Sequence, residues 1–198
     1  CYPGRAGRIA ERPPADLRAL AVEIAAAVRA VADRPVALLG HSMGAPVALE
    51  TARVLEAGGV PVAQLFASGS RDGDCVRLDP STVEEADPAE LLARLVTLGG
   101  TDPDLATDPD FQELVLPYVL GDSRMFHDYV MEPEPVLRCP VTSIVGDADP
   151  DADQRPWRRL TGAAFREHVV PGDHFYLIPN PPFDVIDENL SVQRANAH

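Results

Sequence analysis

Val36-Ala37-Leu38-Leu39-Gly40-His41-Ser42-Met43-Gly44-Ala45 is the stretch whose reading decides the fold. Four apolar residues run straight into Gly-x-Ser-x-Gly, and a helix-compatible run from Pro46 to Leu55 follows, which together make the strand, tight turn and helix of a nucleophile elbow. The buried-strand pattern before the motif and the helix pattern after it set it apart from a chance glycine-rich turn. At such a turn the serine is forced into a strained backbone conformation, so the positions two before and two after it must lack bulk. Gly40 and Gly44 meet that need. Ser42 is then expected at the carboxyl edge of a sheet. The amide of Met43, next in the chain, opens a helix whose dipole favours developing negative charge, and it is the expected first oxyanion donor.

Working outward, Asp16 is placed to cap a helix whose Leu17, Leu20, Ala21, Ile24, Val28 and Val31 share one face, with Asp33-Arg34-Pro35 ending it. Beyond the elbow helix, Gly58-Gly59 supplies a stop, and Val62 to Ser68 reads as a buried parallel strand, completing a βαβ unit. From Arg71 to about Pro135 the pattern is helical without strands. Capping signals stand at Ser81 with Glu84, at Asp87-Pro88-Ala89-Glu90 and at Asp108-Pro109; Gly99-Gly100 is a stop, and Pro117 is expected to break or kink a helix that resumes over Ser123 to Met131. Met125, Phe126, Tyr129 and Val130 read as core residues. Strand character returns over Val141–Val145 and Phe165–Val170, with a short helix near Pro156–Leu160 between them and a last helix near Phe183–Leu190. The expected fold class is therefore α/β: a doubly wound, mostly parallel sheet in a single domain spanning 1–198, with a helical lid inserted at about 71–135.

A serine hydroxyl is a poor nucleophile until a base takes its proton, and the base needs an acid that fixes its tautomer. In this architecture the chain order is Ser, then acid, then His, each just past the carboxyl end of a strand. Ser42, Asp149 and His174 satisfy order and placement: Asp149 follows the strand ending at Val145, and His174 the strand ending at Val170. Asp147 is the competing acid. Among the other histidines, His127 falls in the lid, His168 inside a strand and His198 at the terminus, while His41 adjoins the nucleophile on the opposite side of the turn and reads as structural. Asp173 reads as a turn residue.

Seventeen basic residues against thirty-one acidic ones give a formal charge of −14, which argues against nucleic acid and anionic membranes. No run approaches the roughly 18 apolar residues of a membrane span, and no signal peptide opens the chain, so the expectation is a cytoplasmic protein. The three cysteines Cys1, Cys75 and Cys139 are an odd number with no metal-type spacing, so neither a disulfide framework nor a zinc site is indicated, and no metal or cofactor is expected. Arg5, Arg8, Arg12 and Arg18 cluster early and read as a solvated face. Only 35 residues precede the elbow strand, where such a sheet ordinarily has several strands, so an N-terminal portion reads as missing.

The chain resembles the type II thioesterases that accompany polyketide and nonribosomal peptide synthases, which are α/β hydrolases. The resemblance is carried by Tyr2-Pro3-Gly4-Arg5, Gly40-His41-Ser42-Met43-Gly44-Ala45, Leu98-Gly99-Gly100-Thr101, Leu116-Pro117, Cys139-Pro140-Val141, Gly146-Asp147-Ala148-Asp149-Pro150, Trp157 and Pro171-Gly172-Asp173-His174-Phe175, in order along nearly the whole chain. It implies hydrolysis of acyl groups from the phosphopantetheine arm of an acyl or peptidyl carrier protein through an acyl-serine intermediate. It also implies that the acid is Asp149 and the base His174. The family's opening strand and His-Ala-Gly-Gly-like loop, source of the second oxyanion amide, have no match here. A small-molecule esterase and a catalytically inactive synthase-associated protein are the alternatives.

Overall fold

The computed structural model describes residues 1–74, 88–97, 101–150 and 152–196. The chain divides into two compact units, one made of Cys1–Leu20 with Arg77–Val130, the other of Ala21–Val76 with Met131–His198. Among the described residues no helix is long and apolar enough to cross a membrane.

The second unit carries a four-stranded parallel sheet. Its strands, in order across the sheet, are β1 (Val36–His41), β2 (Val62–Ser68), β4 (Val141–Gly146) and β6 (Phe165–Val170). His41 pairs with Ser68, Ser68 with Ile144, and Gly146 with Val170. That register brings the carboxyl ends of all four strands to one edge, the place where open α/β sheets present their chemistry. Helix α1 (Leu17–Val31) is capped by Asp16, whose carboxylate accepts the Ala19 N–H at 2.6 Å. Helix α2 (Gly44–Ala57) follows the elbow and stops at Gly58 and Gly59, the latter at a φ of +77°. Leu49 and Leu55 of α2 pack with Leu65, Val141, Trp157 and Leu160 in the main core. On the other face Phe66, Ile144 and Tyr176 meet Val185, Ile186 and Leu190 of the last helix, which runs over Phe183–Asn196.

Several expectations about this unit are corrected. The strand-free reading from Arg71 overlooked β3 (Ser70–Asp72), which pairs in parallel with β5 (Asp153–Arg155). Three residues are too few for a periodic signal; the pair is pinned instead by the buried Trp157 indole, which donates to Ser70 Oγ at 2.8 Å. Strand β1 is only half buried, with Ala37 and Leu39 exposed, because it is the edge of the sheet and packs on one face. Val31 stands 81% exposed in the last turn of α1. The short segment near Pro156 is a single 3-10 turn over Trp157–Arg159.

In the first unit, helix α3 (Pro88–Thr97) is followed by a one-turn helix α4 (Pro103–Ala106) and by α5 (Pro109–Asp128). Asp108 caps α5 by accepting from the amides of Asp110 and Phe111. Helix α5 runs through Pro117 without a break and ends at Asp128 instead of Met131, so one missing backbone donor was absorbed within a twenty-residue helix. Met125 is buried, as expected of core, whereas Val130 is exposed. The Ser81–Glu84 box, Asp87 and the Gly99-Gly100 stop lie outside the described residues. The early arginines are not merely a solvated face: Arg5 pairs with Asp122 at 2.7 Å and lies over the rings of Tyr2 and Tyr118, and Arg18 donates to the Val130 carbonyl and lies over Tyr129.

Candidate active site

At the elbow the need for glycine is local and one-sided. A Cβ on Gly40 would lie 2.0 Å from the Gly44 carbonyl oxygen and 2.8 Å from Ala45 Cα, because the strand leaves directly beneath the first turn of α2. A Cβ on Gly44 would meet open space, so the expectation that both glycines answer to crowding holds only for Gly40. Ser42 adopts a φ of +54°, the left-handed conformation that side chains resist. The surrounding backbone holds it there. The Ser42 N–H donates to the Ser68 carbonyl at 2.8 Å, and the Ala45 N–H donates to the Ser42 carbonyl at 2.9 Å. Met43 caps α2 without a side-chain bond, and its amide is among the first of the helix, which lack partners along the helix axis.

The loop after β4 and the loop after β6 are stitched together. Gly146 has no room for a Cβ, which would fall 2.3 Å from the Gly172 carbonyl oxygen. The Asp147 and Ala148 amides donate to the carbonyls of Val170 and Gly172. Between the two acids the structure separates the tasks. Asp147 Oδ1 accepts the Gly172 N–H at 2.9 Å, while Asp149 Oδ2 lies 2.9 Å from His174 Nδ1. Asp149 and His174 are each 4% exposed. A carboxylate at Nδ1 places the proton there and leaves Nε2 as the basic nitrogen. Asp173 accepts the Phe175 N–H and so closes the turn that presents His174.

No hydrogen bond joins Ser42 Oγ to His174 among the described residues. The two are nonetheless held at one edge. The His41 ring lies with its centroid 5.0 Å from that of His174, and a Cβ at Gly69 would be 2.9 Å from His41 Cε1 and 3.2 Å from His174 Cε1. His41 bonds through Nδ1 to Ser68 Oγ at 2.8 Å, and burial, with the nearby His174, lowers its pKa to about 4. His127 and His168 lie elsewhere, in α5 and β6, and His198 lies outside the described residues. Sequence reasoning missed Ser68, Gly69 and Tyr176. The one signal available was Ser-Gly ending an apolar strand at Val62–Ser68, a pattern that also marks ordinary strand ends.

A parallel sheet with a serine elbow at its carboxyl edge defines the α/β-hydrolase class. The thioesterase domain family matches residues 1–188, and the chain belongs to that family. It is 38% identical over 197 residues to the thioesterase TesA of Mycobacterium marinum, covering 96% of this chain and 78% of that protein. It is 36% identical over 199 residues to the phenyloxazoline synthase MbtB of Mycobacterium tuberculosis, covering 96% of this chain but 13% of the synthase. Among solved structures it is similar to the type II thioesterase BorB from the borrelidin biosynthetic cluster, at 36% identity and a TM-score of 0.78, covering 96% of this chain and 79% of that one.

Proposed function

We propose that this chain hydrolyses acyl groups from the phosphopantetheine thiol of a carrier protein in natural-product biosynthesis, with Ser42 as nucleophile, His174 as base and Asp149 as its orienting acid. The observation that carries the reading is the buried 2.9 Å contact of His174 Nδ1 with Asp149, at the same sheet edge as a serine held at positive φ. In the first half, His174 Nε2 takes the Ser42 proton while Oγ bonds to the thioester carbonyl carbon. The oxyanion forms next to the Met43 N–H, the position where a fixed donor lowers the barrier by about 3 kcal/mol. Collapse breaks the carbon–sulfur bond, and the leaving thiolate receives the proton from His174. In the second half, water gives its proton to His174 and attacks the acyl-serine carbonyl, and the same proton returns to Ser42 as the free acid leaves. The likeness to TesA and to BorB supports the thioester as substrate class. The insertion at about 71–135 is proposed as the lid that selects the acyl chain.

The test is release of acyl groups from a carrier thioester, followed by intact-protein mass spectrometry, for the protein and for Ser42→Ala. Loss of turnover in the variant is expected; turnover that survives it refutes the nucleophile. A clear rate preference for simple esters over the carrier thioester refutes the substrate class while leaving the triad in place.

A further inference from the structure

Behind the Asp149–His174 pair lies a second chain of polar side chains that the mechanism does not use. Ser68, the last residue of β2, is the hub. Its carbonyl accepts the Ser42 N–H, and its hydroxyl lies 2.8 Å from His41 Nδ1 and 2.6 Å from the Tyr176 hydroxyl. Tyr176, two residues after His174 and 1% exposed, also reaches the Ile144 carbonyl of β4 at 3.3 Å. We propose that His41, Ser68 and Tyr176 form a positioning relay that fixes the His174 ring relative to Ser42.

Proton counting sets the direction of the relay. A carbonyl only accepts, so Tyr176 gives its single hydrogen to Ile144; Ser68 then gives its own to Tyr176, and His41 must donate from Nδ1 to Ser68. All three contacts are satisfied at once only when His41 carries a proton on Nδ1, and burial of the ring beside His174 disfavours the charged form, leaving the neutral Nδ1–H tautomer. That leaves Nε2, which is buried with no partner, as a bare acceptor, the less costly of the two ways to bury an unpaired ring nitrogen. A neutral ring 5.0 Å from His174 does not oppose the positive charge that His174 gains when it takes a proton. The relay also ties together the segments that carry the site. It reaches the elbow through His41, β2 through Ser68, the strand leading to the acid through Ile144, and the base loop through Tyr176, whose Cβ would be 2.8 Å from a side chain at Gly172. Gly69, at a φ of +63°, keeps the space in which the two imidazoles lie side by side.

This inference rests on the reading of His174 as the base. The experiment measures kcat and KM on an acyl N-acetylcysteamine thioester for the protein, Tyr176→Phe, Ser68→Ala and their double variant, with Ser42→Ala as control. Thermal unfolding midpoints report on folding, and the far-downfield proton resonance of the His174–Asp149 bond reports on its geometry. Each single variant is expected to lower kcat about tenfold with KM within about twofold, the double to be no worse than the singles, since they cut one chain. The downfield resonance is expected to shift or broaden in all three. Wild-type kcat and an unmoved resonance in Ser68→Ala, which removes one oxygen and leaves no sizeable void, overturn the relay while Ser42→Ala stays inactive. Equal turnover by the protein and Ser42→Ala overturns the base reading itself, and the relay with it.

Discussion

Asp147 and Asp149 are two residues apart and chemically identical, yet one carboxylate takes a backbone amide and the other an imidazole. An amide side chain still accepts from Gly172, so Asp147→Asn should cost about 1 kcal/mol of stability or less and leave kcat within a few-fold. At the other acid the same change invites the wrong His174 tautomer, and Asp149→Asn should lower kcat on the order of a thousandfold or more at unchanged KM. Steady-state kinetics on the two variants side by side decides between them. The elbow glycines divide in the same way. Gly40→Ala drives a methyl group into backbone and should destabilise by at least about 3 kcal/mol, whereas Gly44→Ala meets open space at the start of a helix and should be neutral or gain up to about 1 kcal/mol, both read from urea unfolding. His41 makes a pH prediction. Its folded pKa of about 4 lies below the ordinary 6.5, so between those values the unfolded chain binds the extra proton and the folded one does not. Stability is therefore full above about pH 6.5 and falls as pH drops towards 4, and His41→Asn should flatten the unfolding free energy across that window.

Helix α2 does more than present the elbow. Glu50 and Arg53, both buried, pair at 3.0 Å, and the guanidinium also donates to the carbonyls of Glu132 and Pro135. Arg53→Met removes an ion-pair partner from a buried carboxylate and two donors from backbone carbonyls, so a loss of about 3–5 kcal/mol is expected by urea denaturation. Adding Glu50→Gln to Arg53→Met should recover part of that loss; a double variant no more stable than the single would show that the carbonyl contacts carry the cost. Neither residue announces this role in the sequence, where a Glu–Arg spacing of three on a helix reads as an exposed pair. What the sequence did make legible were elements with a repeated signal: the apolar strands at Val36, Val62, Val141 and Phe165, the Asp16 and Asp108 caps, and the glycine stop after α2. The parallel sheet followed from them. Elements held only by contacts between distant residues were not legible. Strands β3 and β5 pair with each other across 83 residues and Trp157 reaches Ser70 across 87, and the Tyr176–Ser68 contact spans 108, so neither leaves a local trace. Pro117 misled only as to a break, a strong local signal overridden by a helix long enough to absorb one lost bond.

For the molecule as a whole, a formal charge of −14 on 198 residues means that the average distant charge pair repels. Screening works on two opposing terms. It weakens the mutual repulsion of thirty-one carboxylates, and it weakens the attractive pairs that cross open surface, such as Arg8–Glu11 and Arg34–Asp33. The attractive side is small, since exposed pairs contribute about 0–1 kcal/mol each, and the pairs that matter most, Glu50–Arg53 and Asp153–Arg155, have arginines only 5% exposed and are screened least. Repulsion, by contrast, is spread over many separations near or beyond the Debye length of about 10 Å at 0.1 M salt. The unfolded chain spaces the same charges further apart, so relieving repulsion favours the compact state. Raising sodium chloride from about 10 mM to about 150 mM at pH 7.5 should therefore raise the thermal midpoint by a few degrees. Sodium sulfate would confound the comparison by strengthening apolar burial, so chloride is the salt to use. A midpoint that falls over this range would mean that local attractive pairs outweigh the net charge, and charge-reversing one of the exposed arginines, Arg34→Glu, would then lower the midpoint at low salt by more than it does at high salt.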